Sequence, residues 1–396
     1  MMNVAIINSY FPPVFSGGAE NSIDHMLHGL ICKPQIKKLI MISLSNIHKE
    51  VNVVEKKGII YYYIPYLYKV CPLSQKRTKL DKLTWYMEDF YSTKSFELVL
   101  TILQEHKIDI VNTNNLAGFS TAILKVLAEN NYKIIHTIRD YYFMCIKGNL
   151  NHTGCSNTQG GMCKCLTLVR KYHSKFTTAV VGNSKFILDL HLRNGYFKNS
   201  KISRHIYNGY SDEQVKYSKA LGSTRNKKIG YIGRICKEKG VEIFIQQSMN
   251  AAPDNEIIVA GKGDNIYINQ LKKMYPSVKF IGHVSPEVFY NQVDFVIVPS
   301  LWHEPLARTV FESYFYGLPV IGSNRGGIPE SIVNGVNGFI FDPDNPNSLS
   351  DSIKLLAYDD EVYEKMSNNA ISMSKKFDIE TTVNNYVALY QEVING

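Results

Sequence analysis

No stretch of this chain approaches the roughly 18 consecutive apolar residues that a membrane-spanning helix needs, so any meeting with a membrane is expected at its surface. The opening run Met1 to Asn8 is too short for a signal-peptide core and lacks a basic leader. It is read as a first strand, and a cytoplasmic protein is expected. The seven cysteines are odd in number and none form paired Cys-x-x-Cys knuckles, which argues against a disulfide framework and for a reducing compartment. Cys145, Cys155, Cys163 and Cys165 lie close together, and their spacing leaves free thiols or a structural metal open. No metal-ligand set is assigned. Nor is there compositional bias: 45% hydrophobic and 20% charged residues are globular values. A length of 396 residues is too great for one ordinary core and suits two domains.

Charge is plentiful but uneven. The net charge is +9, and residues 1–200 hold 24 Lys plus Arg against 13 Asp plus Glu, whereas 201–396 hold 20 against 22. The excess is scattered rather than gathered in one arm, which argues against nucleic acid. A solvated surface and an anionic membrane or lipid-linked acceptor both remain open.

Short β-rich runs alternate with helical lengths from the start: Val4 to Tyr10, then Asn21 to Cys32; Asp109 to Thr113, then Phe119 to Glu129; Lys133 to Ile138; Thr178 to Gly182, then Lys185 to Leu192. This rhythm predicts βαβ units on a parallel sheet. The polar segment Ser211 to Lys228 is the linker candidate, and a second series begins at Ile229. The expected division is 1–205, 206–375 and a C-terminal helix within 376–396 that packs back on the first domain. In such α/β sheets ligands bind beyond the carboxyl ends of the strands, so the motifs should follow strands.

They do. Pro299-Ser-Leu-Trp-His-Glu-Pro-Leu-Ala-Arg-Thr-Val-Phe-Glu312 places Glu304 and Glu312 across a strand-to-helix junction. Pro305 suits the first turn of a helix, which would leave the amides of Leu306, Ala307, Arg308 and Thr309 as donors for a diphosphate. Eight residues at about 1.5 Å each put the two carboxylates on the order of 12 Å apart, enough to hold the two ends of one nucleotide sugar. Gly233-Arg234-x-x-x-x-Lys239-Gly240 closes the first strand of the same series. Its planar guanidinium and mobile ammonium can together neutralise a leaving diphosphate.

With these motifs the chain resembles glycosyltransferase family 4. The resemblance implies the GT-B fold, an α/β architecture of two tandem Rossmann-like, doubly wound parallel-sheet domains facing each other across a cleft. It also implies Glu312 on the ribose hydroxyls, Glu304 on the transferred sugar, and Arg234 and Lys239 on the diphosphate. Arg234, Lys239 and Glu304 are then the catalytic candidates. Further matching passages are Pro319 to Glu330, with Gly326-Gly327, and Asn334 to Gly338. In the first domain Gly17-Gly18 sits where the family places its glycine loop, near donor phosphate and acceptor. His136-Thr-Ile-Arg-Asp-Tyr-Tyr-Phe-Met-Cys145 resembles the family's His-Asp segment but carries Arg139 where many members have His. Arg139 and Asp140 are the acceptor-side candidates.

The resemblance implies retention at the anomeric carbon. No first-domain carboxylate is marked as a nucleophile, so same-face attack is expected, with the departing phosphate taking the acceptor's proton. Two cations on the diphosphate make a catalytic metal unnecessary, and no resident cofactor is expected beyond the nucleotide sugar as donor substrate. A hexose passed to a saccharide or lipid-linked acceptor in surface polysaccharide or glycolipid assembly is the expected role, with peripheral contact at the inner face of the membrane. A non-catalytic binding subunit on the same fold, or a nucleotide-sugar epimerase, stays open as an alternative.

Overall fold

A parallel strand pair needs a crossover that carries the chain back to the same starting edge, and the alternation of Val/Ile-rich runs with longer amphipathic segments supplies it. The computed structural model describes residues 1–14, 17–70, 78–91, 93–152, 155–211 and 226–396. The chain divides into one unit of Met1–Gly209 with Ile379–Gly396 and a second of Tyr210–Asp378. The linker expected over Ser211 to Lys228 lies largely outside the described residues. Among the described residues no helix is long and apolar enough to cross a membrane.

In the first unit the strands are β1 (Met2–Ile7), β2 (Ile36–Ser45), β3 (Asn52–Lys56), β4 (Ile59–Pro65), β5 (Ile110–Thr113), β6 (Lys133–Ile138), the short β7 (Asn151–His152) and β8 (Cys155–Ser156), β9 (Ala179–Gly182) and β10 (Ile202–His205). Its helices are α1 (Gly18–Ile31), α2 (Lys79–Tyr91), α3 (Phe96–Glu105), α4 (Ile123–Glu129), α5 (Gly161–Leu166), α6 (Leu168–His173) and α7 (Lys185–Arg193). Eight strands form one sheet in the order β10-β9-β6-β5-β1-β2-β4-β3, parallel except for the β3/β4 hairpin. That hairpin has no clean sequence signature, because β3 is an exposed edge without an apolar alternation. At its turn Lys57 and Gly58 both have positive φ, 51° and 77°, as a two-residue hairpin loop requires. The helix expected from Phe119 begins only at Ile123, after Ser120 turns the backbone left-handed at φ 65°.

In the second unit β11 (Ile229–Ile232), β12 (Ile257–Ala260), β13 (Lys279–Gly282), β14 (Phe295–Val298), β15 (Val320–Ser323) and β16 (Gly338–Phe341) form a wholly parallel sheet, ordered β13-β12-β11-β14-β15-β16. Around it run α8 (Val241–Ala251), α9 (Asn265–Met274), α10 (Pro286–Tyr290), α11 (Arg308–Phe315), α12 (Pro346–Tyr358) and α13 (Asp360–Ser374). Ile229, Val259, Phe295 and Ile321 of the sheet pack with Phe244 of α8 and Leu349 and Ile353 of α12 in one core.

In sequence the segment Lys375 to Ile394 reads as helical throughout. Instead a 3-10 turn at Lys375–Phe377 and an extended Asp378 (φ −63°, ψ 139°) precede α14 (Ile379–Asn395). The face of α14 carrying Val383, Tyr386, Val387 and Tyr390 joins the core of the first unit beside Met26, Leu27 and Leu30 of α1. Asn112 at the sheet donates to the Tyr390 hydroxyl at 2.8 Å.

Strand order locates the crevices. In the first sheet the chain builds outward from β1 through β2 and β4, then returns to add β5, β6, β9 and β10 on the other side, so its direction reverses between β1 and β5. In the second it reverses between β11 and β14. Loops on either side of such a reversal diverge and leave room for a ligand.

Besides His106, three histidines are buried among the described residues of the first unit. His136 lies between Phe197, stacked at 5.2 Å, and Phe143 at 4.7 Å, which makes it a core residue. Burial pushes His136 down to about 3, with His191 and Arg139 adding to the effect. Burial likewise takes His191 and His173 down to about 4, Lys125 contributing at His173. Each stays neutral when folded but takes up a proton when unfolded below about pH 6.5. Their contribution is therefore complete above that pH and is lost as pH falls towards 4, at about 1.4 kcal/mol per pH unit per proton. Denaturant titrations from pH 7 to 4.5 should show this decline, and His191→Gln should flatten it; a profile already flat in the parent protein would mean that the folded state binds these protons.

Candidate functional site

In the second unit, the loop after β11 and the loop after β14 meet at the reversal point. What allows it is Gly240, which has φ +71° and no side chain: a Cβ there would lie 1.9 Å from the Pro299 carbonyl oxygen. This approach sets the Lys239 ammonium on Glu304, whose Oε1 also accepts from the Ser300 hydroxyl at 2.9 Å and the Trp302 indole at 3.1 Å. Lys239 also sits 5.5 Å from the Trp302 ring centroid, a cation–π contact. Glu304 is 6% exposed. A carboxylate this buried is tolerable because one oxygen collects three donors, one of them charged.

The loop after β15 closes the same site. Gly326 has φ +62°, and a Cβ there would lie 2.2 Å from the Glu304 carbonyl oxygen. The next amide, that of Gly327, donates to that carbonyl at 2.7 Å. The glycine pair thus grips the backbone of Glu304.

Glu312 lies on α11. The Arg308 guanidinium binds its Oε1 through Nε at 2.9 Å and through a terminal nitrogen at 2.7 Å, while the Tyr290 hydroxyl donates to Oε2 at 3.0 Å. Burial first, and then the adjacent Glu312, hold the Tyr290 phenol well above its ordinary value, so it donates as a neutral hydroxyl. The helix start differs from expectation: α11 begins at Arg308 with Ala307 as its N-cap, and Pro305 lies outside it. Ala307 is extended (ψ 101°), so Glu304 to Leu306 form a loop, and the helical rise between Glu304 and Glu312 does not apply. Of the proposed donor amides, those of Arg308 and Thr309 are in the first turn. Leu306 and Ala307 precede it, both buried.

Arg234 follows β11 directly after Gly233. Its side chain is 64% exposed, with Glu238 at a loose 3.5 Å, and its carbonyl accepts from Tyr231 at 2.7 Å. It borders a cavity of about 490 Å³ lined also by Ile235, Glu238, Gly263, Asp264 and Tyr267, beyond the carboxyl ends of β11 and β12.

The first unit gathers a separate polar group at its own reversal point. Asn8 follows β1, Asn114 and Asn115 follow β5, and Arg139 and Asp140 follow β6. Asn8 accepts from the Asn115 amide at 3.1 Å and donates to Glu20 of α1 at 3.5 Å. Asp140 accepts from the Tyr142 amide at 2.8 Å and from the Asn115 side chain. Arg139 is 9% exposed and clamped by the side chains of Asn114, at 2.8 Å, and Asn208. Desolvation raises both Glu20 and Asp140 above their ordinary values; at Glu20 the neighbouring Asp140 adds to this and Arg139 opposes it. Gly17 is the N-cap of α1 at φ −143°, an angle open to any residue, and Gly18 begins the helix two residues before Glu20.

Sequence reasoning brought Lys239 and Glu304 forward, and the structure joins them. It missed Ser300, Trp302, Tyr290, Asn8, Glu20 and Asn115. For Asn8, Asn115, Ser300 and Trp302 the available signal was polar residues shortly after strands at the reversal points, a signal that Glu20 on α1 and Tyr290 on α10 lack. For Arg308 it was the i,i+4 spacing to Glu312. Ser184 caps α7 by accepting from the Ile187 amide at 3.2 Å.

Gly326→Ala should press a methyl group onto the Glu304 backbone and lower the free energy of unfolding by about 1–3 kcal/mol. Urea denaturation with an unchanged slope reads this directly, and an unchanged midpoint would show that the loop yields without cost.

Comparison with known proteins bears on this arrangement. Residues 213–373 match the family model for glycosyl transferases group 1. An uncharacterized 42.6 kDa protein in the cps region of Klebsiella pneumoniae is 31% identical over 333 residues, 83% of this chain and 87% of that protein. Among solved structures, sucrose-phosphate synthase from Thermosynechococcus elongatus superposes with a TM-score of 0.78 at 17% identity, covering 100% of both chains. The Anabaena protein HepE in complex with UDP superposes with a TM-score of 0.73 at 18% identity, covering 99% of this chain and 100% of that one. The fold is therefore GT-B, built from two Rossmann-like units. The group 1 match is coarser than the family 4 resemblance and compatible with it. On the family match and the Klebsiella relative together, the chain belongs to the glycosyl transferases group 1.

Proposed function

We propose that this glycosyltransferase passes a hexose from a nucleoside diphosphate sugar to a saccharide or lipid-linked acceptor, with retention at the anomeric carbon. The observation that carries the donor assignment is the contact of Lys239 with Glu304 across the reversal point of the second sheet, with Arg234 exposed on the same loop. A diphosphate drawn to Arg234 and Lys239 would compete with Glu304 for the ammonium. The freed carboxylate, still held by Ser300 and Trp302, would then accept from sugar hydroxyls. Glu312, fixed by Arg308 and Tyr290, is assigned to the ribose hydroxyls. The amides of Arg308 and Thr309 are assigned to phosphate oxygens, because an open first turn supplies donors and a favourable dipole.

Two cations on the leaving group supply the charge stabilisation that a metal gives elsewhere, so the proposed reaction needs no bound cation or resident cofactor. The departing phosphate takes the acceptor's proton. On the acceptor side we assign Asp140, with Glu20 beside it, as groups that bind hydroxyls, and Arg139 as a brace. The glycine loop at Gly17-Gly18 is assigned to close backbone approach by ligand. The basic excess of residues 1–200 supports an anionic or lipid-linked acceptor and surface-polysaccharide or glycolipid assembly at the inner face of a membrane.

Thermal stabilisation by a panel of nucleotide sugars identifies the donor, and UDP-sugars come first because the superposable HepE structure holds UDP. With that donor, Arg234→Ala and Lys239→Ala should each lower turnover on the order of 10²-fold or more. Full activity in both variants would remove the diphosphate assignment. Glu312→Ala should weaken nucleotide binding by calorimetry, and equal affinity would place the ribose elsewhere. An inverted product anomer by NMR would overturn the retaining course.

A further inference from the structure

Beyond the buried run Tyr141–Cys145, the stretch that leads to α6 is poorly supplied with core, Leu150 being its one large buried aliphatic side chain among the described residues. β7 and β8 are two residues each, α5 has six, and Met162, Leu166 and Leu168 are exposed. Elements so short do not hold themselves in water. Yet this segment buries three cysteines, and their thiols converge on one imidazole. The ligand atoms of Cys145, His152, Cys155 and Cys163 all lie within 4.8 Å of one another. His152 Nε2 is 3.2 Å from Cys145 Sγ and 3.6 Å from Cys163 Sγ. A tetrahedral zinc with Zn–S near 2.3 Å and Zn–N near 2.0 Å sets sulfur and nitrogen about 3.5 Å apart and two sulfurs about 3.8 Å apart.

We propose that Cys145, His152, Cys155 and Cys163 bind one zinc ion as a structural Cys3His site. Backbone donors face two of the sulfurs. The Gly160 amide donates to Cys155 Sγ at 3.2 Å, and the Ile146 backbone hydrogen-bonds Cys163. Such N–H···S contacts offset thiolate charge around a metal. His152 and Cys155, paired across β7 and β8 and separated by two residues in sequence, form the knuckle that the cysteine spacing alone conceals. Cys165 is exposed and takes no part. With all four positions filled by protein, no site remains for water or substrate, so the ion is a cross-link and not a catalyst.

What the cross-link secures is the chain that follows Asp140. The Cys145 amide donates to the Tyr141 carbonyl at 2.8 Å, closing the turn, and the carbonyls of Tyr142 and Cys145 accept from buried Arg170 of α6 at 2.5 and 3.3 Å. Arg170 also pairs with Asp89 of α2 at 3.1 Å. Metal binding would fasten the open end of this braced segment, since metal affinity is here folding free energy.

Protein purified from zinc-supplemented medium should contain about one zinc per chain by elemental analysis, released when a mercurial blocks the thiols. Reduced apoprotein titrated with Co²⁺ should develop thiolate-to-cobalt charge transfer and the strong visible bands of tetrahedral cobalt, saturating at about one equivalent. Cys155→Ser and Cys163→Ser should weaken Co²⁺ binding at least 10-fold, a loss typical of removing a metal contact, while Cys165→Ser should leave it unchanged. The titration of the parent chain stands even if a variant fails to fold. Parent protein without zinc and without the cobalt spectrum overturns the proposal. So does a disulfide among the three buried cysteines in freshly isolated protein, or loss of binding in Cys165→Ser alone.

Discussion

Parallel pairing is the constraint from which the rest follows. When every strand of a sheet points the same way, every loop that follows a strand emerges at the same edge, however far apart those loops lie in sequence. Lys239 and Glu304 meet because β11 and β14 are neighbours in the second sheet. Asn8, Asn115 and Asp140 meet because β1, β5 and β6 are adjacent in the first. In both units the polar groups collect where the strand order reverses.

Adjacency alone would leave those loops some ångströms apart. In the second unit it is the missing side chains that close the gap: Gly240 against the Pro299 carbonyl and Gly326 against Glu304. Backbone packed on backbone has no rotamers to relax, so the position of the Glu304 carboxylate is defined by main chain and then by three donors. Glu312 is held differently, from its own helix by Arg308 and from α10 by Tyr290. The two carboxylates are thus fixed independently, one by loops and one by helix surfaces.

The first unit relies more on side-chain bracing. Arg170 is 1% exposed and reaches Asp89 and the turn after Asp140, with its guanidinium 4.0 Å from the Tyr142 ring centroid. A buried charge of this kind is costly to desolvate and persists only when its partners surround it. The proposed zinc site continues the bracing into a segment with too little apolar surface to order itself.

Much was legible without coordinates. Hydrophobic runs of strand length alternating with helical periods determine a doubly wound α/β chain, because period and length reflect which faces must leave water. The Gly-Arg to Lys-Gly loop and the two glutamates could be located because they resemble a family's motifs, in which glycine, cations and carboxylates follow the strands. The exposed edge hairpin, the start of α11 at Arg308 and the break at Asp378 were not legible, since each depends on local dihedral angles that several residue types can adopt. Nor were the partners of the site residues. Ser300 and Trp302 on Glu304, Tyr290 on Glu312, and His152 among the cysteines are ordinary residues in sequence, and they acquire meaning only from strand order and loop contact, which bring together groups that no spacing along the chain relates.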